Sequence, residues 1–65
     1  HDKGVKEYLF VQTGSVKLLI NSDEYQVDEG DYIYYEPSSV HRISNLASGP
    51  SSVLMIIDRS VQAVK

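Results

Sequence analysis

Apolar and polar residues alternate with a period close to two along most of the chain. Short clusters of glycine, proline, serine, asparagine and aspartate interrupt the alternation. A period of two is the pattern of strands, and the interruptions are turn chemistry. Glu7 to Thr13 (EYLFVQT) runs to Gly14, and Ser15 to Ile20 (SVKLLI) runs to the polar turn Asn21-Ser22-Asp23. Glu24 to Val27 (EYQV) ends at Asp28-Glu29-Gly30, and Asp31 to Tyr35 (DYIYY) is broken by Pro37-Ser38-Ser39. Val40 to Ser44 is a further short strand. A loop over Asn45 to Ser51 contains Gly49-Pro50, and Ser52 to Asp58 (SVLMIID) is the last clear strand. The tail after Arg59 is expected to fray or to start a helix. Six short strands with close turns predict an all-β antiparallel sandwich or barrel. No stretch shows an amphipathic helix with caps, and no repeat or interdomain linker is visible.

Parity assigns faces. Glu7, Leu9, Val11 and Thr13 share one face of the first strand, and Tyr8, Phe10 and Gln12 share the other. Val16, Leu18 and Ile20 form an apolar stripe, expected with Val53 to be fully buried inside. Val53, Met55 and Ile57 oppose Leu54 and Ile56, so both faces of the last strand are apolar. Such a strand is expected to be buried on both sides, with something outside the sheet covering it. A homodimer or additional strands would supply that cover.

Size sharpens this expectation. Sixty-five residues make one domain, 1–65, and a chain this short buries only about 60% of its unfolded surface. No cysteine is present to staple it. A first residue of His rather than Met points to a segment of a longer chain or a processed product. The longest apolar run, Val53 to Ile57, is far too short to span a membrane. Six scattered Lys and Arg against nine Asp and Glu give a net charge of -3, so direct nucleic-acid contact by this segment is not expected. The absence of cysteine fits a reducing cytoplasm.

Three residues carry candidate chemistry. His1, Glu7 and His41 form the ligand set of an open-sided two-histidine, one-carboxylate metal site. The bland alternative is a frayed terminal His1 and an ordinary strand residue at His41. Tyr32, Tyr34 and Tyr35 offer an apolar wall with polar tips, with ordinary strand tyrosines as the alternative. Ser38 and Ser39 precede His41, but no nucleophile elbow is present. The four isolated glycines form no phosphate loop.

The spacing adds to this. Six residues separate Glu7 from Gly14, fifteen separate Gly14 from Gly30, ten separate Gly30 from His41, and three separate His41 from Asn45. The two segments HDKGVKEYLFVQTG and GDYIYYEPSSVHRISN resemble the paired motifs of the cupin superfamily, and the resemblance covers His1 to about Asp58. It implies a cupin-type double-stranded β-helix, a jelly-roll barrel, or an incomplete segment of one. It also implies that His1, Glu7 and His41 occupy metal-ligand positions converging in the barrel mouth. Gly14 and Gly30 match turn glycines, and Asn45 matches the residue that closes the second motif. Two departures stand out. Lys3 occupies the place of the family's second histidine, where an ammonium repels a cation. The family's Pro-x-Gly turn reads Pro37-Ser38-Ser39.

Two functions of different class follow from the resemblance. The first is a small-molecule sensor, similar to the cupin half of bacterial helix-turn-helix transcriptional regulators. Lys3, Tyr32 and Tyr34 would then contact the ligand, and Lys3 would neutralise Glu7. The second is a small metal-dependent enzyme of dioxygenase or isomerase type, holding Fe, Mn, Ni or Zn. Lys3 favours the metal-poor sensor.

Overall fold

The computed structural model describes residues 5–58, and every structural statement below concerns these residues. They form six strands in two antiparallel three-stranded sheets, so the all-β expectation holds. The strands are β1 (Lys6–Thr13), β2 (Ser15–Ile20), β3 (Asp23–Asp28), β4 (Tyr32–Tyr35), β5 (Val40–Asn45) and β6 (Ser52–Asp58). One sheet has the order β4-β1-β6 and the other β3-β2-β5. Only β2 and β3 are joined as a hairpin. Every other connection carries the chain from one sheet to the other, which is the winding of a jelly roll.

The turns follow from the residues placed in them. Asn21 opens the hairpin with φ 55°, a conformation that asparagine tolerates. At the β1–β2 corner Gly14 has φ 90°. A Cβ there would lie 2.9 Å from Ser51 Cα, so backbone dihedral and close approach both demand glycine. Gly30 has φ 86° but open space where a side chain would go. The Pro37–Ser39 break is a single turn of 3-10 helix. Proline removes one backbone donor there, and Ser39 N–H closes the turn on Glu36 O at 2.9 Å.

The core lies between the sheets, where β1 and β4 face β2 and β3. Leu9, Val11, Val16, Leu18, Val27 and Tyr35 are buried and in mutual contact, with Ile20, Ile33, Val40 and Val53 packed around them. Val16 and Leu18 are buried as expected. Ile20 and Val53 are only half-buried, because β3, β5 and β6 are sheet edges with fewer neighbours.

The last strand departs further from expectation. Leu54 and Ile56 on its outer face are exposed, and so are Met55 and Ile57 on its inner face. β6 is an edge strand, and the facing sheet ends at β5, itself an edge whose Ile43 is exposed. The inner faces are therefore packed across β1 to β4 and open toward β5 and β6.

Candidate functional site

The β1 register fixes which side chains enter the space between the sheets. Directly opposed residues in antiparallel strands share a face. Glu7 opposes Tyr35 on β4 and Ile57 on β6, and Leu9 opposes Ile33 and Met55. Since Leu9 and Tyr35 are buried core residues, this row points inward and carries Glu7 with it. Glu7 is half-buried. A carboxylate on an otherwise apolar inner face is unexpected unless it has work to do or a partner.

Its neighbour is Tyr35. The ring is buried in the core, and its hydroxyl has no hydrogen-bond partner among the described residues. Burial pushes the phenol well above its ordinary value near 10, and the Glu7 carboxylate pushes it further. The carboxylate is thus close enough to act on the hydroxyl by its charge and by incipient hydrogen bonding, although the hydroxyl completes no hydrogen bond of good geometry. An unsatisfied buried hydroxyl costs about 1–3 kcal/mol. The pair is a polar patch on an apolar wall.

His41 sits on the other sheet. Leu19 opposes Arg42 and Ile20 opposes Val40, so His41 is the extra residue of a bulge in β5. It is exposed. Among the described residues no three His, Cys, Asp or Glu side chains are grouped so as to hold a metal ion. Glu7 and His41 alone are an incomplete donor set. His1 and Lys3 lie outside the described residues.

Tyr32 and Tyr34 are exposed on the face of the β4–β1–β6 sheet opposite to Glu7. Tyr34 stacks on Tyr8 with ring centroids 4.3 Å apart, and Tyr8 meets Tyr32 at 5.7 Å. Of the three adjacent tyrosines it is Tyr35 that joins Glu7. The signal for it is parity with Ile33 together with the pairing to Glu7, and that pairing is not visible in local sequence.

Asn45 has a structural task. Its side chain accepts from Ala47 N–H at 3.0 Å and donates to Gly49 O at 2.8 Å, shaping the loop between β5 and β6. Ser51 Oγ lies 2.6 Å from Asn45 Oδ1 and accepts Ser15 N–H at 3.0 Å, tying that loop to the start of β2. On the far side of β2, Ser15 Oγ donates to Asp28 Oδ1 at 2.8 Å and Gln26 Nε2 donates to the same oxygen at 2.9 Å. These two donors, Gln26 first, hold the Asp28 carboxyl below its ordinary value near 3.8.

The family model described as Cupin domain matches residues 1–57. Neither a curated protein nor a solved structure matches the chain. No helix among the described residues is long and apolar enough to cross a membrane.

Proposed function

The chain belongs to the cupin domain family, and from that premise we propose that it is a small-molecule-binding sensor domain whose ligand enters between the two sheets. The observation that carries the reading is the Glu7–Tyr35 pair. It places a carboxylate and an unpaired hydroxyl on an apolar inner face, next to the open side of the sandwich. Binding sites are mostly apolar with a few placed polar groups, and this wall has that composition. The fitting ligand has an apolar body and either a hydroxyl that donates to Glu7 while accepting from Tyr35 or an ammonium that donates to Glu7. Lys3, standing where the family's second histidine belongs, supports a ligand site with little or no metal. As a sensor the domain serves a cytoplasmic transcriptional regulator that contacts DNA through other parts of its polypeptide.

The test is a thermal-shift screen of the full-length protein against small amines and alcohols with apolar bodies, alongside elemental analysis. A ligand present at 100 times its Kd stabilises the folded state by about 2.7 kcal/mol. Such hits are expected, and both Glu7→Gln and Tyr35→Phe should weaken them. Hits that survive both substitutions remove the pair from the site. Near-stoichiometric Fe, Mn, Ni or Zn in the purified protein would instead favour a metal enzyme.

A further inference from the structure

The side of the sandwich away from the β5–β6 opening is formed by β3 and β4, the outer strands of the two sheets, and by the turn that joins them. A cavity of about 380 Å³ lies there, a volume at the small end of ligand sites. Each sheet contributes one phenol to it. Tyr25 opposes Leu18 on β2, so it belongs to the inner face, yet its place on an edge strand leaves it 43% exposed. Tyr32 comes from the start of β4. Val27 and Ile33 supply aliphatic wall, and Gln26 and Asp31 supply polar groups. At Gly30 nothing stands within 4 Å of where a Cβ would be, so the turn leaves the cavity unobstructed. Tyr32 opposes Phe10 whereas Tyr35 opposes Glu7, so the cavity lies at the other end of β4 from the Glu7–Tyr35 pair.

The polar groups of the cavity are mainly acceptors. Gln26 Nε2 donates to Asp28 Oδ1 at 2.9 Å, while the Gln26 amide oxygen accepts no bond among the described residues. The Asp31 carboxylate makes no hydrogen bond or ion pair among the described residues. No Lys, Arg or His among the described residues lines the cavity. The chain around it is acidic as well. From Asp23 to Asp31 there are five carboxylates and no basic residue. Of these only Glu24 is ion-paired among the described residues, to Lys17 at 3.6 Å. Such a surface concentrates cations, and the ring faces of Tyr25 and Tyr32 attract them at close range.

We propose that this cavity binds a small organic ammonium ion. Its N–H donates to the Asp31 carboxylate or the Gln26 amide oxygen, and its alkyl groups lie against Tyr25, Tyr32, Val27 and Ile33. Charge and apolar wall together select this class. An inorganic cation would use the carboxylate and leave the apolar wall unused. Among the described residues no three carboxylates or imidazoles converge to replace its hydration. An anion would meet an unpaired carboxylate. A neutral alcohol or sugar would leave the Asp31 charge uncompensated. The site is separate from the Glu7–Tyr35 pair and stands whether or not that pair binds a ligand.

Titration of the isotope-labelled full-length protein with trimethylammonium chloride, followed by amide NMR shifts, tests the proposal. An ion of so few atoms is expected to bind with a Kd in the millimolar range. The shifts should centre on the Gly30 and Asp31 amides and the Gln26 side chain. Neutral tert-butanol, close in shape, should bind at least about 10-fold more weakly, because it loses both the charge pair and the cation–π contact. Asp31→Asn and Tyr25→Leu should each weaken trimethylammonium binding about 3–5-fold, the size of one such contact at an exposed site. Spectral dispersion checks that each variant is folded. Should Tyr25→Leu unfold, Asp31→Asn decides alone, because it keeps the size of the side chain. Equal binding of tert-butanol overturns the proposal, and so does binding that neither substitution weakens. Sodium chloride that reproduces the shifts at the same ionic strength overturns it as well. Shifts centred on Glu7 and Tyr35 also overturn it and assign the ion to the space between the sheets. An absence of shifts at tens of millimolar overturns it outright.

Discussion

Substituting alanine at Gly14 and at Gly30 separates two reasons for a glycine that look identical in sequence. Both residues have nearly the same positive φ, 90° and 86°. A left-handed backbone costs an L-residue about 1–2 kcal/mol. The stiffer unfolded chain returns about 0.4–1 kcal/mol. At Gly30 nothing stands within 4 Å of the new methyl, so the net loss should be no more than about 1.5 kcal/mol. At Gly14 the methyl meets Ser51 Cβ at 2.8 Å and Ser51 Cα at 2.9 Å. Overpacking of this kind adds about 1–3 kcal/mol. Moving Ser51 away also sacrifices its bond to Ser15 N–H, worth about 1 kcal/mol. The expected loss at Gly14 is therefore about 2–5.5 kcal/mol, a large share of the stability of any domain of this size. Urea unfolding of the full-length protein, followed by circular dichroism with m held common, measures both. Losses equal to within about 0.5 kcal/mol, the spread normal for independent sites, would show that the Ser51 contact yields freely and that only the dihedral matters.

Three further outcomes are expected. Leu18→Ala should cost about 2–5 kcal/mol in the same urea assay, because Leu18 is fully buried at the centre of the inter-sheet contact. Asp28 has its carboxyl pKa lowered in the folded state, so its contribution is present above its ordinary value near 3.8 and is lost as pH falls through the lower folded value. Asp28→Asn should flatten that part of the acid stability profile, and an unchanged profile would discount the Ser15 and Gln26 bonds. Tyr35 has its pKa raised, so its contribution is complete below its ordinary value near 10 and is lost as pH rises above that value. Tyr35→Phe removes the unpaired hydroxyl, so it should be more stable than wild type at neutral pH by about 1–3 kcal/mol and lose less stability in alkali, readable by thermal melts on both sides of pH 10.

Much of the architecture is legible in local sequence because strands and turns are local. The alternation in Ser15 to Ile20 and the punctuation at Gly14, Asn21 and Gly30 place β1 to β4 within a few residues of where they lie. Pairing is not local. Nothing near Glu7 states that Tyr35 and Ile57 are its neighbours, so the tyrosine that joins it was indistinct from Tyr32 and Tyr34. Parity also fails where both parities are apolar. The Val53 to Ile57 run reads as a strand buried on both sides, but burial depends on what faces it, and β6 ends a sheet. Candidate site residues were legible as residue types: Glu7 does face inward, whereas the exposure of His41 follows from a bulge that a residue count does not reveal.

The pairing of β1 with β6 also sets a timetable. β1 is the central strand of its sheet, yet its partner β6 begins at Ser52, nearly at the other end of the described chain. A ribosome adding about 5–20 residues per second takes roughly 2–8 seconds to pass from one to the other. Through that interval Tyr-Leu-Phe-Val, residues 8–11, has an open edge and strong β-propensity, the combination that invites pairing with other nascent chains. β4 emerges earlier and closes one side of β1, leaving only the β6 side to wait. The order in which the strands are made therefore limits the exposure of this segment to one edge, and slowing translation between β4 and β6 would prolong it.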